Sequence, residues 1–188
     1  MSLRDQLFLL PNLISLARLM AVPVTVYLLW QGAFTAAFWV FVAAGISDAV
    51  DGYLAKRLGV VSEVGAYLDP LADKALLVAV YITLGALDLV AMWLVFLIVF
   101  RDLLIIAGAI LFQTLTQSLK MTPLFISKVN TAAQITLACV VLAEHGLGLS
   151  VPILTTGLIY GVAATTALSG AAYILKWGRL TVMMERER

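Results

Sequence analysis

Charge is scarce in this chain. Its 188 residues include 12 Lys and Arg and 11 Asp and Glu, 12% charged against 63% hydrophobic, with a mean hydropathy of +1.05. A surface facing water on all sides needs far more charge, so an ordinary soluble domain is excluded and an all-α integral membrane protein is expected. The single cysteine excludes a disulfide framework and a cysteine-rich metal site. No internal repeat, low-complexity tract or separate soluble domain interrupts the sequence, so residues 1–188 read as one membrane-embedded domain. The N-terminal MSLRDQLFLLPN shows no small-residue cleavage site of a removable signal peptide. A net charge of +1 gives no basic surface, and nucleic acid is not an expected partner.

What is present is a succession of apolar runs. They predict six membrane spans, at 13–31, 33–50, 70–88, 91–112, 129–145 and 151–175, each near the ~20 residues needed to cross the hydrocarbon. Residues 2–10, with Arg4 and Asp5 before Pro11, predict a short interfacial helix ahead of the first span. The turns at Gln31-Gly32, Leu87-Asp88 and Glu144-His145-Gly146 hold no Lys or Arg. The opposite side gathers Arg4, Lys56, Arg57, Lys120, Lys128, Lys176, Arg179, Arg186 and Arg188. The positive-inside rule then places both termini on the cytoplasmic side, and a bacterial inner membrane is the expected location.

Against this apolar background, four aspartates crowd into SDAVDGYLAKRLGVVSEVGAYLDPLADK. Asp48, Asp51, Gly52 and Ala55 follow a helical spacing that puts two carboxylates and two small residues on one face. Asp69 and Asp73, four apart, share a face of the next helix, and Gly65 lies four residues before Asp69. Carboxylate oxygens converging from two helices suit hard divalent cations, and a pair of such ions can polarise a diphosphate. Lys56, Arg57 and Lys74 are at hand to balance its charge. Gly52 and Ala55 leave room for a flat base or ribose against the helix backbone. The competing structural reading makes Asp48 and Asp51 an interfacial helix end and Asp69-Pro70 an N-cap; it does not account for the joint spacing.

Written as Asp48-x2-Asp51-Gly52-x2-Ala55-Lys56-x8-Gly65-x3-Asp69-x3-Asp73, the segment closely resembles the signature of the CDP-alcohol phosphatidyltransferases. The six-span plan resembles that family over nearly the whole chain. The usual arginine after the motif alanine is Lys56 here, with Arg57 following, so either can meet the diphosphate. The resemblance implies CDP-activated lipid as donor, an alcohol as acceptor and CMP as leaving group, with two divalent cations, Mg2+ or Mn2+. By position, Asp48, Asp51, Asp69 and Asp73 correspond to metal ligands, and Asp73 also to the acceptor of the hydroxyl proton. Asp48, Gly52, Ala55, Lys56, Arg57, Gly65 and Asp69 correspond to the CDP-binding surface. Homodimerisation is a further property the resemblance implies.

Two later stretches, Trp93 to Ala109 and Thr122 to Gln134, resemble the cardiolipin synthase branch of that family, chiefly in Ser127-Lys128-Val129-Asn130-Thr131-Ala132. On this reading CDP-diacylglycerol donates to phosphatidylglycerol; glycerol 3-phosphate is the alternative acceptor. Arg101, deep in the fourth span, and Lys128 are candidates to hold the acceptor's phosphate, against an internal ion pair for Arg101 and a snorkelling Lys128. Arg18 is open to the same two readings. Trp30, Trp93 and Trp177 read as interfacial anchors, and His145 as an exposed loop residue. A lipid phosphatase, which admits water in place of alcohol, and a cation transporter, which uses buried carboxylates as an ion path, are the rival functions.

Overall fold

The computed structural model describes the backbone over residues 3–58, 63–116 and 124–186, and side chains over 16–48, 74–110 and 124–177. It is all α, with six helices: α1 Leu3–Trp30, α2 Phe34–Leu58, α3 Glu63–Ala86, α4 Met92–Thr116, α5 Phe125–Leu147 and α6 Pro152–Arg186. They divide into two compact units, Met1–Val90 with Ala138–Val151, and Ala91–Leu137 with Pro152–Arg188. Helix α5 thus gives its first half to the second unit and its last turns to the first.

Six helices do not amount to six spans. Among the described residues, three stretches are long and apolar enough to cross a membrane: Met92–Ile110, Phe125–Leu147 and Pro152–Trp177. Within the described residues the apolar runs of the first three helices are the shorter Leu16–Trp30, Phe34–Asp48 and Lys74–Ala86. Charge interrupts the first three helices. Helix α1 carries Arg4, Asp5 and Arg18, α2 carries Asp48, Asp51, Lys56 and Arg57, and α3 carries Glu63, Asp69, Asp73 and Lys74. Each gives part of its length to polar chemistry, whereas a span needs ~20 predominantly apolar residues. The chain is an integral membrane protein with apolar spanning helices, but the even count that put both termini on one side is not supplied.

The separate interfacial helix is also corrected. Helix α1 is continuous from Leu3 to Trp30 through Pro11 and Pro23. A proline removes one helical hydrogen bond, and in an apolar setting that loss does not have to end a helix. Two residues beyond Pro23, Thr25 Oγ1 donates to the Ala21 carbonyl at 2.7 Å.

Two of the expected turns are formed by the same device. After α1, Ala33 N–H donates to Leu28 O and Gly32 N–H to Leu29 O, with Gly32 at φ 72°. After α3, Leu89 N–H donates to Leu84 O and Asp88 N–H to Gly85 O, with Asp88 at φ 57°. Both are Schellman caps, which satisfy the last helical carbonyls through one left-handed residue. Glycine adopts that conformation freely; aspartate is among the few other residues that tolerate it. The third turn falls later than expected, because α5 continues through Glu144-His145-Gly146 to Leu147.

In the first unit α1 packs on α2 and α3, and Leu29, Phe41, Leu77, Val80, Tyr81, Leu84 and Leu142 are buried. Gly146 fits where a Cβ would come within 2.8 Å of the Phe34 carbonyl carbon, and Thr35 Oγ1 donates to the Gly146 carbonyl at 2.5 Å. His145 is exposed, beside the Phe34 ring. In the second unit α4 packs on α6, around buried Leu94, Ile98, Leu137 and Val162. Trp177 lies against Gly108, where a methyl group would overlap its ring, so it serves packing more than anchoring.

Candidate functional site

Helix α2 carries Asp48, Asp51, Gly52, Ala55, Lys56 and Arg57, and α3 carries Gly65, Asp69 and Asp73. Both aspartate pairs therefore stand on continuous helix, the condition under which their spacing sets them on one face. The side chains of Asp51, Lys56, Arg57, Asp69 and Asp73, and the surroundings of Gly52, Ala55 and Gly65, lie outside the described residues.

Asp48 is within them, and it has a partner. Arg18 Nη1 of α1 donates to Asp48 Oδ1 at 2.5 Å, across a sequence separation of 30. The pair is lopsided: the Arg18 side chain is 1% exposed and that of Asp48 42%. A buried guanidinium in an apolar helix needs a counter-charge, and here a half-open carboxylate supplies it. An ionised carboxylate has about four acceptor positions, so Asp48 keeps capacity for a cation. The donor chemistry, carboxylate oxygen alone, fits a hard divalent ion. Among the described residues no group of three or more His, Cys, Asp or Glu side chains forms a metal site.

The second unit holds a different polar cluster. Arg101 and Asp102 on α4 are 3% and 5% exposed, and Arg101 Nη1 donates to Asp102 Oδ1 at 2.7 Å. Arg101 Nε donates to Ser169 Oγ at 3.1 Å, and Nη2 to Ser127 Oγ at 2.6 Å and Ser169 Oγ at 2.5 Å. Helices α5 and α6 thus meet on one guanidinium. One turn along α5 from Ser127, fully buried Asn130 accepts hydrogen bonds at Oδ1 from Thr165 at 2.9 Å and Thr166 at 2.8 Å. Its Nδ2 has no partner among the described residues. Gln134, one turn further, is also fully buried. Lys128, beside Ser127 in the chain, is exposed.

Sequence reasoning named Arg18, Arg101 and Lys128 but not Ser127, Asn130, Gln134, Thr165, Thr166 or Ser169 as a group. A signal was present: Ser127, Asn130 and Gln134 recur at helical spacing on one face of an otherwise apolar helix, as do Thr165, Thr166 and Ser169. A polar stripe inside a spanning helix faces other helices more readily than lipid.

Comparison with known proteins joins these observations to a family. Residues 8–176 match the family described as CDP-alcohol phosphatidyltransferase. The chain belongs to the CDP-alcohol phosphatidyltransferases. Its curated relatives in that transferase family carry two activities in their names. It is 34% identical to "CDP-diacylglycerol--glycerol-3-phosphate 3-phosphatidyltransferase 1, chloroplastic" of Oryza sativa subsp. japonica, over 94% of this chain and 59% of the relative. It is 35% identical to "Cardiolipin synthase (CMP-forming)" of Rattus norvegicus, over 93% of this chain and 63% of the relative. The Homo sapiens protein of that name is 33% identical, over 99% of this chain and 67% of the relative. The chain thus spans about three fifths of the length of the first two of these relatives. Family membership is shared by both branches, and identity does not separate them.

Proposed function

We propose that this chain transfers a phosphatidyl group from CDP-diacylglycerol to phosphatidylglycerol, giving cardiolipin and CMP. The observation that carries the reaction class is the aspartate signature standing on two continuous helices, α2 and α3, in a chain of the CDP-alcohol phosphatidyltransferase family. Asp48, Asp51, Asp69 and Asp73 would hold two Mg2+ or Mn2+ ions. When bound, such ions neutralise charge on a diphosphate and its leaving oxygen. The acceptor hydroxyl oxygen attacks the lipid-linked phosphorus, its proton passes to the Asp73 carboxylate, and the bond to CMP breaks. Gly52, Ala55 and Gly65 would leave space for the cytidine, and Lys56 and Arg57 would balance the diphosphate charge.

Arg101 and Lys128 are the proposed holders of the acceptor phosphate. Two of the three side chains on Arg101 are neutral serines, and a phosphate oxygen makes a stronger, charge-assisted bond to guanidinium than a hydroxyl does. Phosphate can therefore displace Ser127 or Ser169 without removing Asp102. Preference for phosphatidylglycerol rests on the run Ser127 to Ala132. Glycerol 3-phosphate is the second reading, favoured by the rice relative's name. The aspartate segment is proposed to face the cytoplasm, in a bacterial inner membrane and a homodimer.

The test is product analysis from purified protein in liposomes given CDP-diacylglycerol, a divalent cation and either acceptor. Cardiolipin with CMP is expected. Phosphatidylglycerophosphate as the sole lipid product would move the chain to the second reading, and no CMP with either acceptor would overturn both.

A further inference from the structure

We propose that Arg18 is a positioning residue that holds Asp48 to one-oxygen ligation and so biases the site toward small divalent cations over Ca2+. This inference rests on the proposed reading of Asp48 as a cation ligand.

The lopsided burial of the pair is the starting point. A purely structural ion pair would be expected to bury both partners, as the α4 neighbours Arg101 and Asp102 do at 3% and 5% side-chain exposure. Arg18 instead reaches from a buried position to a carboxylate that stays 42% exposed. Its bond to Oδ1 has two consequences. It fixes the rotation of the carboxylate, and it puts a positive charge beside one of the two oxygens. Guanidinium does not lose its proton in proteins, so that charge remains when a cation arrives. A cation straddling both oxygens would sit against the guanidinium; one using only the second oxygen would not.

Ligation mode separates the cations. Mg2+ demands near-octahedral geometry at about 2.0–2.1 Å, while Ca2+ takes 6–8 oxygens at about 2.3–2.6 Å and readily accepts a carboxylate through both. Reserving Oδ1 for Arg18 therefore penalises the larger ion. Simple repulsion between Arg18 and a divalent ion acts on Mg2+, Mn2+ and Ca2+ nearly alike and cancels in a ratio of affinities. Orientation by a partner that touches the ligand and not the metal typically changes affinity by about 10–100-fold.

The experiment is substrate-free cation binding to metal-stripped full-length protein in lipid nanodiscs. Mn2+ is followed by electron paramagnetic resonance, and Mg2+ and Ca2+ compete against it. In Arg18→Met the Ca2+ to Mg2+ affinity ratio should rise about tenfold over wild type, while Arg18→Lys, which keeps a charged donor, should stay near the wild-type ratio. If Arg18→Met does not survive extraction, Arg18→Gln, too short to reach Oδ1 in the same way, should show the same rise. An unchanged ratio, even with both affinities altered or with lowered stability, would overturn the inference alone. Failure of wild-type protein to bind Mn2+ would overturn the metal reading of the proposed function and this inference with it.

Discussion

Arg18 and Arg101 are equally buried, at 3% exposure each, yet they end in unlike surroundings. Arg101 closes on itself a set of partners from three helices, Asp102, Ser127 and Ser169. Arg18 ends on a carboxylate that stays 42% exposed. The same physical demand, a counter-charge for guanidinium in an apolar helix, is met in one unit by a sealed network and in the other by a residue of the aspartate signature. Stability should therefore depend most on the sealed network, and chemistry on the open segment.

Variants can pull these two apart. The largest effect is expected from Asp73→Asn, which removes the proposed proton acceptor: kcat for CMP release should fall about 10²–10⁴-fold, with thermal unfolding in detergent nearly unchanged. A large loss of stability there would break the contrast. Arg101→Met should lower stability and raise the KM for the acceptor together, because it takes away a proposed phosphate holder and leaves the Asp102 carboxylate buried without its arginine, at a cost of about 3–5 kcal/mol read as a lowered unfolding midpoint. Adding Asp102→Asn to it should recover part of that loss. Arg18→Met should cost clearly less than Arg101→Met, since Asp48 can be solvated once its partner is gone. The smallest effect is expected for Thr166→Val, which takes one of two hydroxyl donors from Asn130; polar contacts between membrane helices average about 0.6 kcal/mol. A loss as large as that of Arg101→Met would show that the Asn130 layer, not Arg101, anchors the second unit.

The aspartate positions were legible because helical spacing is a local property: residues three and four apart must share a face wherever the helix persists. The depth of Arg18 and Arg101 was legible for a similar reason, Arg18 being a lone charge and Arg101-Asp102 an isolated charged pair in an apolar run. Their partners were not, since Asp48 lies 30 residues from Arg18 and Ser169 lies 68 from Arg101, and hydrophobic periodicity carries no information about which helices pair. The six-span count failed where apolar runs were extended across charged residues, in the helices that carry Arg18, Asp48 and Asp73. Pro11 marks no boundary, because α1 runs through it. The late end of α5 reflects Gly146 closing against the backbone of Phe34, a contact that no local pattern announces.

The central claim is that the aspartate segment performs metal-dependent transfer to an alcohol, and acceptor dependence tests it most directly. Purified protein in liposomes containing CDP-diacylglycerol would be assayed for CMP with and without phosphatidylglycerol, in Mn2+ and after chelation. The account predicts CMP release that requires both the cation and the acceptor. CMP released equally well without an acceptor would point to hydrolysis, and cation flux with no CMP to a transporter; either result would contradict it.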